Sequence, residues 1–124
     1  ASAGRVTARF APDELDAAAD AADHVVADVG RGGAVVCASD VLALAVLHAV
    51  WRAGLRPGAD VGIVGFDDSE LARMHGLSSV GQPMAAIGDD VLRLVSESLA
   101  GEIVPRDTGI LLHPHLTTRT STVR

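Results

Sequence analysis

Polar and acidic residues stand at the ends of three candidate strands: Ser39 and Asp40 after the apolar run Ala34 to Ala38, Asp67 and Asp68 after Val61 to Phe66, and Gln82 shortly after the weaker candidate Leu77 to Val80. Carboxylates and an amide gathered at successive strand ends can exchange hydrogen bonds with the hydroxyls of a small polar ligand. The same residue types cap helices that follow strands, and for Asp40 and Asp68 that reading stays open. His113 and His115 would share one face of a strand and form half of a metal site. Pro114 lies between them and no third ligand accompanies them, so surface or packing histidines are expected and no metal is assigned. Cys37 is the single cysteine and lies in an apolar run, which excludes a disulfide framework and a cysteine cage.

Other chemistry is removed by what is missing. There is no Lys for a Schiff base, a phosphate loop or a phospho-accepting receiver pocket. The glycines at 30, 32 and 33 precede a strand instead of following one, so they form no dinucleotide fingerprint, and no G-x-S-x-G nucleophile elbow occurs. The expectation is a binding domain without cofactor, not an enzyme.

The elements that must hold these residues alternate in type. Pro12, Asp13 and Glu14 read as a helix start, and Leu15, Ala18, Ala22, Val25, Val26 and Val29 recur at helical spacing up to Gly30. Ala34 to Ser39 lacks polar alternation, as expected of a strand covered on both faces. Val41 to Ala53 reads as a helix closed by Gly54 and Pro57. It is apolar on nearly every side, so one sheet cannot cover it. Val61 to Phe66 is a second covered strand, Ser69 to Met74 a short helical turn, and Leu77 to Val80 a weaker strand. A helix follows from Gln82 and Pro83 to about Leu99. Gly109 to Thr118 is an extended segment, and a polar tail begins at Arg119. Alternation of this kind predicts an α/β fold with a parallel sheet and helices on both faces. Ligands of such sheets bind beyond the carboxyl ends of the strands, where the polar residues above fall.

With 124 residues, 48% of them hydrophobic, the chain is read as a single domain. Its net charge of -6 and its scattered Arg residues give no basic patch for nucleic acid. No stretch reaches the roughly 18 unbroken apolar residues of a membrane helix, and no leader is visible, so a cytoplasmic location is expected.

The run from Cys37 through Asp60, followed by Val61-Gly-Ile-Val-Gly-Phe-Asp-Asp-Ser, closely resembles the effector-binding domain of LacI-type transcription regulators. Gln82-Pro83-Met84, Ile87-Gly88, Leu111-Leu-His-Pro and Arg119-Thr-Ser-Thr extend the resemblance over Phe10 to Thr122. It implies the C-terminal lobe of a periplasmic-binding-protein-like, two-lobed sensor with a small-molecule effector, a sugar or a nucleoside-like compound, in the cleft. Operator DNA would be read by a helix-turn-helix outside this chain. The crossover helix, placed at residues 83–108, would pack on a missing N-terminal lobe and otherwise repack, swap onto a neighbour or fray. The ligand residues carried over are Asp67, Gln82, Ser39 (where Asn is usual), Phe10, Asp40 and Met84.

The resemblance also implies a homodimer. Leu44, Leu47, His48 and Trp51, with Met74 and His75 from the following loop, would form its two-fold interface and account for the over-apolar helix. Two rival readings are one lobe of an exported solute-binding protein for transport and a small hydrolase using Asp67 with His75.

Overall fold

In the computed structural model, residues 6–9, 11–101 and 109–122 are described. The elements are α1 (Leu15–Val29), β1 (Ala34–Val36), α2 (Asp40–Arg52), β2 (Gly62–Phe66), α3 (Glu70–Met74), β3 (Ser78–Gly81), α4 (Met84–Leu99) and β4 (His115–Thr117). They form a four-stranded sheet of order β1-β2-β3-β4. The first three strands are parallel, with Val36 beside Val64 and Val64 beside Ser78, and β4 runs antiparallel to β3 with Leu116 beside Val80. This is the expected α/β layer with helices around a mostly parallel sheet.

The helix expected from Pro12 begins later, at Leu15. The Asp13 carboxylate serves the other helix: it accepts a hydrogen bond from the Ser39 hydroxyl at the start of α2. Ser39 in turn caps α2, its Oγ accepting from the Leu42 amide at 3.2 Å. At the far end of α1, Gly30 adopts φ 61, a left-handed conformation that glycine takes without Cβ strain, and returns its N–H to the Val26 carbonyl.

The core lies between α1, α2 and the inward face of the sheet. Ala18, Ala22 and Val26 of α1 are buried with Ala43, Leu44, Ala45, Val46, Leu47, Ala49 and Val50 of α2 and with Ile63 of β2. Small side chains at i, i+4 and i+8 let α1 lie close along α2. The second apolar face of α2 is therefore covered inside the chain. This corrects two of the residues expected at a two-fold interface: Leu44 is 6% and Leu47 1% exposed, so neither has surface to offer a partner. His48 and Trp51 do reach the surface, their rings stacked with centroids 5.6 Å apart, and Met74 is exposed.

The covered-strand reading of β1 also needs correction. Val35 is half-buried and Cys37 buried, but Ala34 and Ala38 are exposed and Val36 is 79% exposed, so only one face of this strand is closed among the described residues. The polar tail from Arg119 is woven into the fold. Ser121 is buried; its Oγ donates to the Ile63 carbonyl at 2.6 Å and accepts from the Ser78 amide at 2.8 Å. Helix α4, by contrast, buries none of its residues. Met84, Val91, Leu92, Val95 and Leu99 are all exposed on it, while Arg93 bridges Asp90 and Glu97 at 3.1 Å each.

Candidate functional site at the carboxyl edge of the sheet

The chain leaves β2 through two successive left-handed residues. Asp67 has φ 106 and Asp68 φ 49, the only positive values at non-glycine positions among the described residues. Asp tolerates this region better than most residues, but each such conformation still costs on the order of 1–3 kcal/mol and persists only where its surroundings dictate it. Here they do so at every amide of the turn. The Asp67 N–H donates to the Val80 carbonyl at 2.8 Å. The Asp68 N–H donates to Ser79 Oγ at 3.0 Å, and the Ser69 N–H to Asp40 Oδ2 at 2.7 Å.

Beneath the turn the polar atoms are joined. Ser79 Oγ donates to Asp40 Oδ1 at 2.6 Å, so Asp40 holds one amide directly and a second through a serine. Asp40 is 2% exposed and both of its oxygens are engaged by the chain's own donors. Its carboxylate fits because position 65 lacks a side chain: a Cβ there would stand 2.2 Å from Asp40 Oδ1.

The Asp68 side chain anchors the turn to the last strand. Arg119 donates to Oδ1 at 2.7 Å and Thr117 to Oδ2 at 3.0 Å, with His115 Nε2 3.8 Å away. The hydrogen bond from Arg119 holds the Asp68 carboxyl below the usual carboxylate range, outweighing the upward push of partial burial, and Thr117 adds to the lowering. These contacts leave the Asp67 carboxylate pointing outward and exposed, with Gln82 Nε2 at 3.5 Å from its Oδ1, the outer limit of a hydrogen bond. The arrangement can accept hydrogen bonds through a fixed anion and exchange them through a neighbouring amide.

Of the expected ligand residues, then, the structure brings Asp67 and Gln82 together, with Met84 exposed two positions on, at the start of α4. Ser39 and Asp40 are drawn into the fold. Ser39 is buried with its hydroxyl given to Asp13, and Asp40 lies under the site instead of at its surface, because both residues close hydrogen bonds that the helix starts require. Phe10 lies outside the described residues. Ser79, Arg119 and Thr117 join the site without being among the expected residues; the serine pair inside a strand is the visible signal for Ser79, and the Arg119-Thr-Ser-Thr motif for Arg119.

Away from this edge, an apolar groove of about 530 Å³ runs between α1 and β1, lined chiefly by aliphatic residues such as Ala22, Val25, Val36 and Leu42. It offers a polar ligand few partners. Among the described residues no group of three His, Cys, Asp or Glu is placed to hold a metal ion, and no helix is long and apolar enough to cross a membrane.

A parallel sheet with its polar groups at the carboxyl edge agrees with a direct comparison. Residues 3–122 match the periplasmic binding protein-like domain. The chain belongs to that family, in its LacI-type transcription-regulator branch. It is 38% identical over 91 residues to the transcriptional regulator MalR of Streptomyces coelicolor, an alignment that covers 72% of this chain and 26% of that protein. The solved complex of the transcriptional regulator CelR with cellobiose is 31% identical and superimposes with a TM-score of 0.75, covering 87% of this chain and 33% of that one. A LacI family regulator from an Arthrobacter species, solved with lactose, reaches a TM-score of 0.79 at 24% identity over 90% of this chain and 42% of its own, a likeness that shows the fold. The chain thus spans about a quarter of the length of the curated relative, 26%. These relatives are transcription regulators and not enzymes, and none of those named is a transport protein.

Proposed function

We propose that the chain is the C-terminal, effector-sensing lobe of a LacI-type transcription regulator, and that it takes a small polar effector of the sugar class at the sheet edge around Asp67. The observation that carries this reading is the outward Asp67 carboxylate, fixed on a strained and fully hydrogen-bonded turn beside Gln82. A carboxylate suits vicinal hydroxyls because it accepts from two donors at once. The cellobiose complex of the structural relative CelR supports a sugar. Met84 would lie against the apolar face of the ring.

A second wall is needed to close a cleft. The exposed stripe of α4, Met84, Val91, Val95 and Leu99, supports the reading of this helix as a crossover that packs on an N-terminal lobe; residues 102–108 of the expected 83–108 span lie outside the described residues. Trp51, His48, Met74 and His75 supply the surface for a two-fold contact, and operator DNA would be bound by a helix-turn-helix head in the cytoplasm. Titration calorimetry of the two-lobed regulator with cellobiose, lactose, maltose and a nucleoside tests the ligand class. Asp67→Asn weakens binding about 10- to 100-fold, as loss of a charged hydrogen bond of roughly 1.5–3 kcal/mol requires. Unchanged affinity in that variant would remove Asp67 from the site.

A further inference from the structure

We infer that Ser79 and Asp40 are positioning residues for the effector site: without touching the ligand, they hold the left-handed turn that fixes where the Asp67 carboxylate stands. The inference rests on the proposed reading for its ligand, but its geometry is independent of it. Two successive non-glycine residues at φ 106 and φ 49 relax toward ordinary backbone unless something opposes them. The opposition is the chain of donors and acceptors from the Asp68 amide to Ser79 Oγ, from that hydroxyl to Asp40 Oδ1, and from the Ser69 amide to Asp40 Oδ2. Ser79 and Asp40 come from β3 and from the first turn of α2, so the turn is referenced to two separate elements. Ser79 is wholly buried and hence out of reach of any effector. Its hydroxyl is also the single group that serves both the turn and the carboxylate. Removing it leaves the Asp68 N–H without its acceptor and Asp40 Oδ1 without its donor, and the turn can unwind.

The test uses Ser79→Ala, with Asp40→Asn as the second variant should the first not fold, and Ile63→Val as a control that loosens the neighbouring core. Amide hydrogen exchange by NMR on the full chain needs no ligand. The expected result is exchange at Asp68 and Ser69 about tenfold faster or more in Ser79→Ala, against a uniform change in Ile63→Val. Unchanged protection at these two amides overturns the inference. Titration of the two-lobed regulator with cellobiose, lactose and maltose then places Ser79→Ala and Asp67→Ala in a double-mutant cycle. If Ser79 acts through Asp67, its substitution weakens binding about tenfold in the native background and has little effect once Asp67 is Ala. Additive losses overturn the inference, since Ser79 would then act elsewhere. Should Asp67→Ala leave affinity unchanged, or no sugar bind the native two-lobed regulator, the proposed ligand reading fails, and the positioning role is still decided by exchange at Asp68 and Ser69.

Discussion

Gly65→Ala is the substitution whose cost the structure determines most directly. A Cβ at position 65 would meet Asp40 Oδ1 at 2.2 Å, Ala43 Cβ at 3.2 Å and Asp40 Cα at 3.3 Å. The first contact is impossible, and the other two are with a helix held against the sheet by the core, so α2 cannot simply retreat. The carboxylate must swing off its partners or the helix must shift. Overpacking of this kind costs about 1–3 kcal/mol. Loss of one hydrogen bond to a charged group adds about 1.5–3 kcal/mol. The sum, about 2.5–6 kcal/mol, is a large part of the roughly 5–15 kcal/mol by which domains are stable. With an m-value of about 2 kcal/mol/M, the urea midpoint followed by circular dichroism falls by about 1–3 M at unchanged slope. Gly88→Ala is the matched control, because a Cβ there meets nothing within 4 Å and alanine favours a helix by up to about 1 kcal/mol. A midpoint for Gly65→Ala within about 0.3 M of the native value, on the same scale, would refute the close approach of Asp40 to β2.

The surface and the core of α2 can be separated by two charges. Leu44→Arg puts a guanidinium into the core and collapses the far-ultraviolet signal at moderate temperature, whereas Trp51→Arg leaves it intact and, if the proposed two-fold contact is real, lowers the mass seen by light scattering to that of a monomer; a persistent dimer mass removes Trp51 from the contact. Acid stability follows Asp68. Its folded pKa lies below the ordinary 3.8, so its contribution is fully present above that value and is lost as pH falls through and below it; Asp68→Asn flattens this part of the unfolding curve, and an unchanged acid limb would contradict the Arg119 pairing. Burial, and secondarily the charge of Asp40, pushes the Cys37 thiol up to about 12, so at neutral pH a thiol reagent labels it far more slowly than a free cysteine; labelling of the native chain as fast as that of a free cysteine would contradict its placement.

The α/β alternation was legible because each element carries its own period, and the edge of the sheet follows from that alternation. Asp67 and Gln82 could be found from position alone, as polar residues following strands. Other features depend on pairings that distance along the chain conceals. The second cover for α2 is α1, and the alanines that allow it look like ordinary helix formers. Strand β3 is a weak candidate in the sequence because it opens on Ser78-Ser79. Those serines are buried for their hydroxyls: Ser78 Oγ meets Thr122 Oγ1 at 2.6 Å, and Ser79 meets Asp40. Asp13 resembled an acid in a first helical turn, yet its partner lies 26 residues away. Nothing in Phe66-Asp67-Asp68-Ser69 announces two left-handed residues, since the backbone there is set by acceptors from β3 and α2.

On the proposed reading, the fixed turn also limits what this lobe can do alone. A charged hydrogen bond from Asp67 and a neutral one from Gln82 together give about 2–4.5 kcal/mol, against an association cost of at least about 4 kcal/mol. A single wall of this kind binds a sugar no tighter than millimolar. The remaining affinity must come from the opposing lobe, and it is gained only on closure. A ligand shifts an equilibrium by the difference in its affinity for two states, and contacts present in both states contribute nothing to that difference. Because the turn is held by groups within this lobe, Asp67 offers the same contact whether the cleft is open or closed. It therefore sets how much effector is needed without setting how far the switch moves. In a reporter assay of the regulator, Asp67→Asn shifts the half-maximal sugar concentration upward about 10- to 100-fold and leaves the plateau unchanged. A lowered plateau at saturating sugar would mean that the turn itself differs between the two states, and the rigid role given to Ser79 and Asp40 would have to be abandoned.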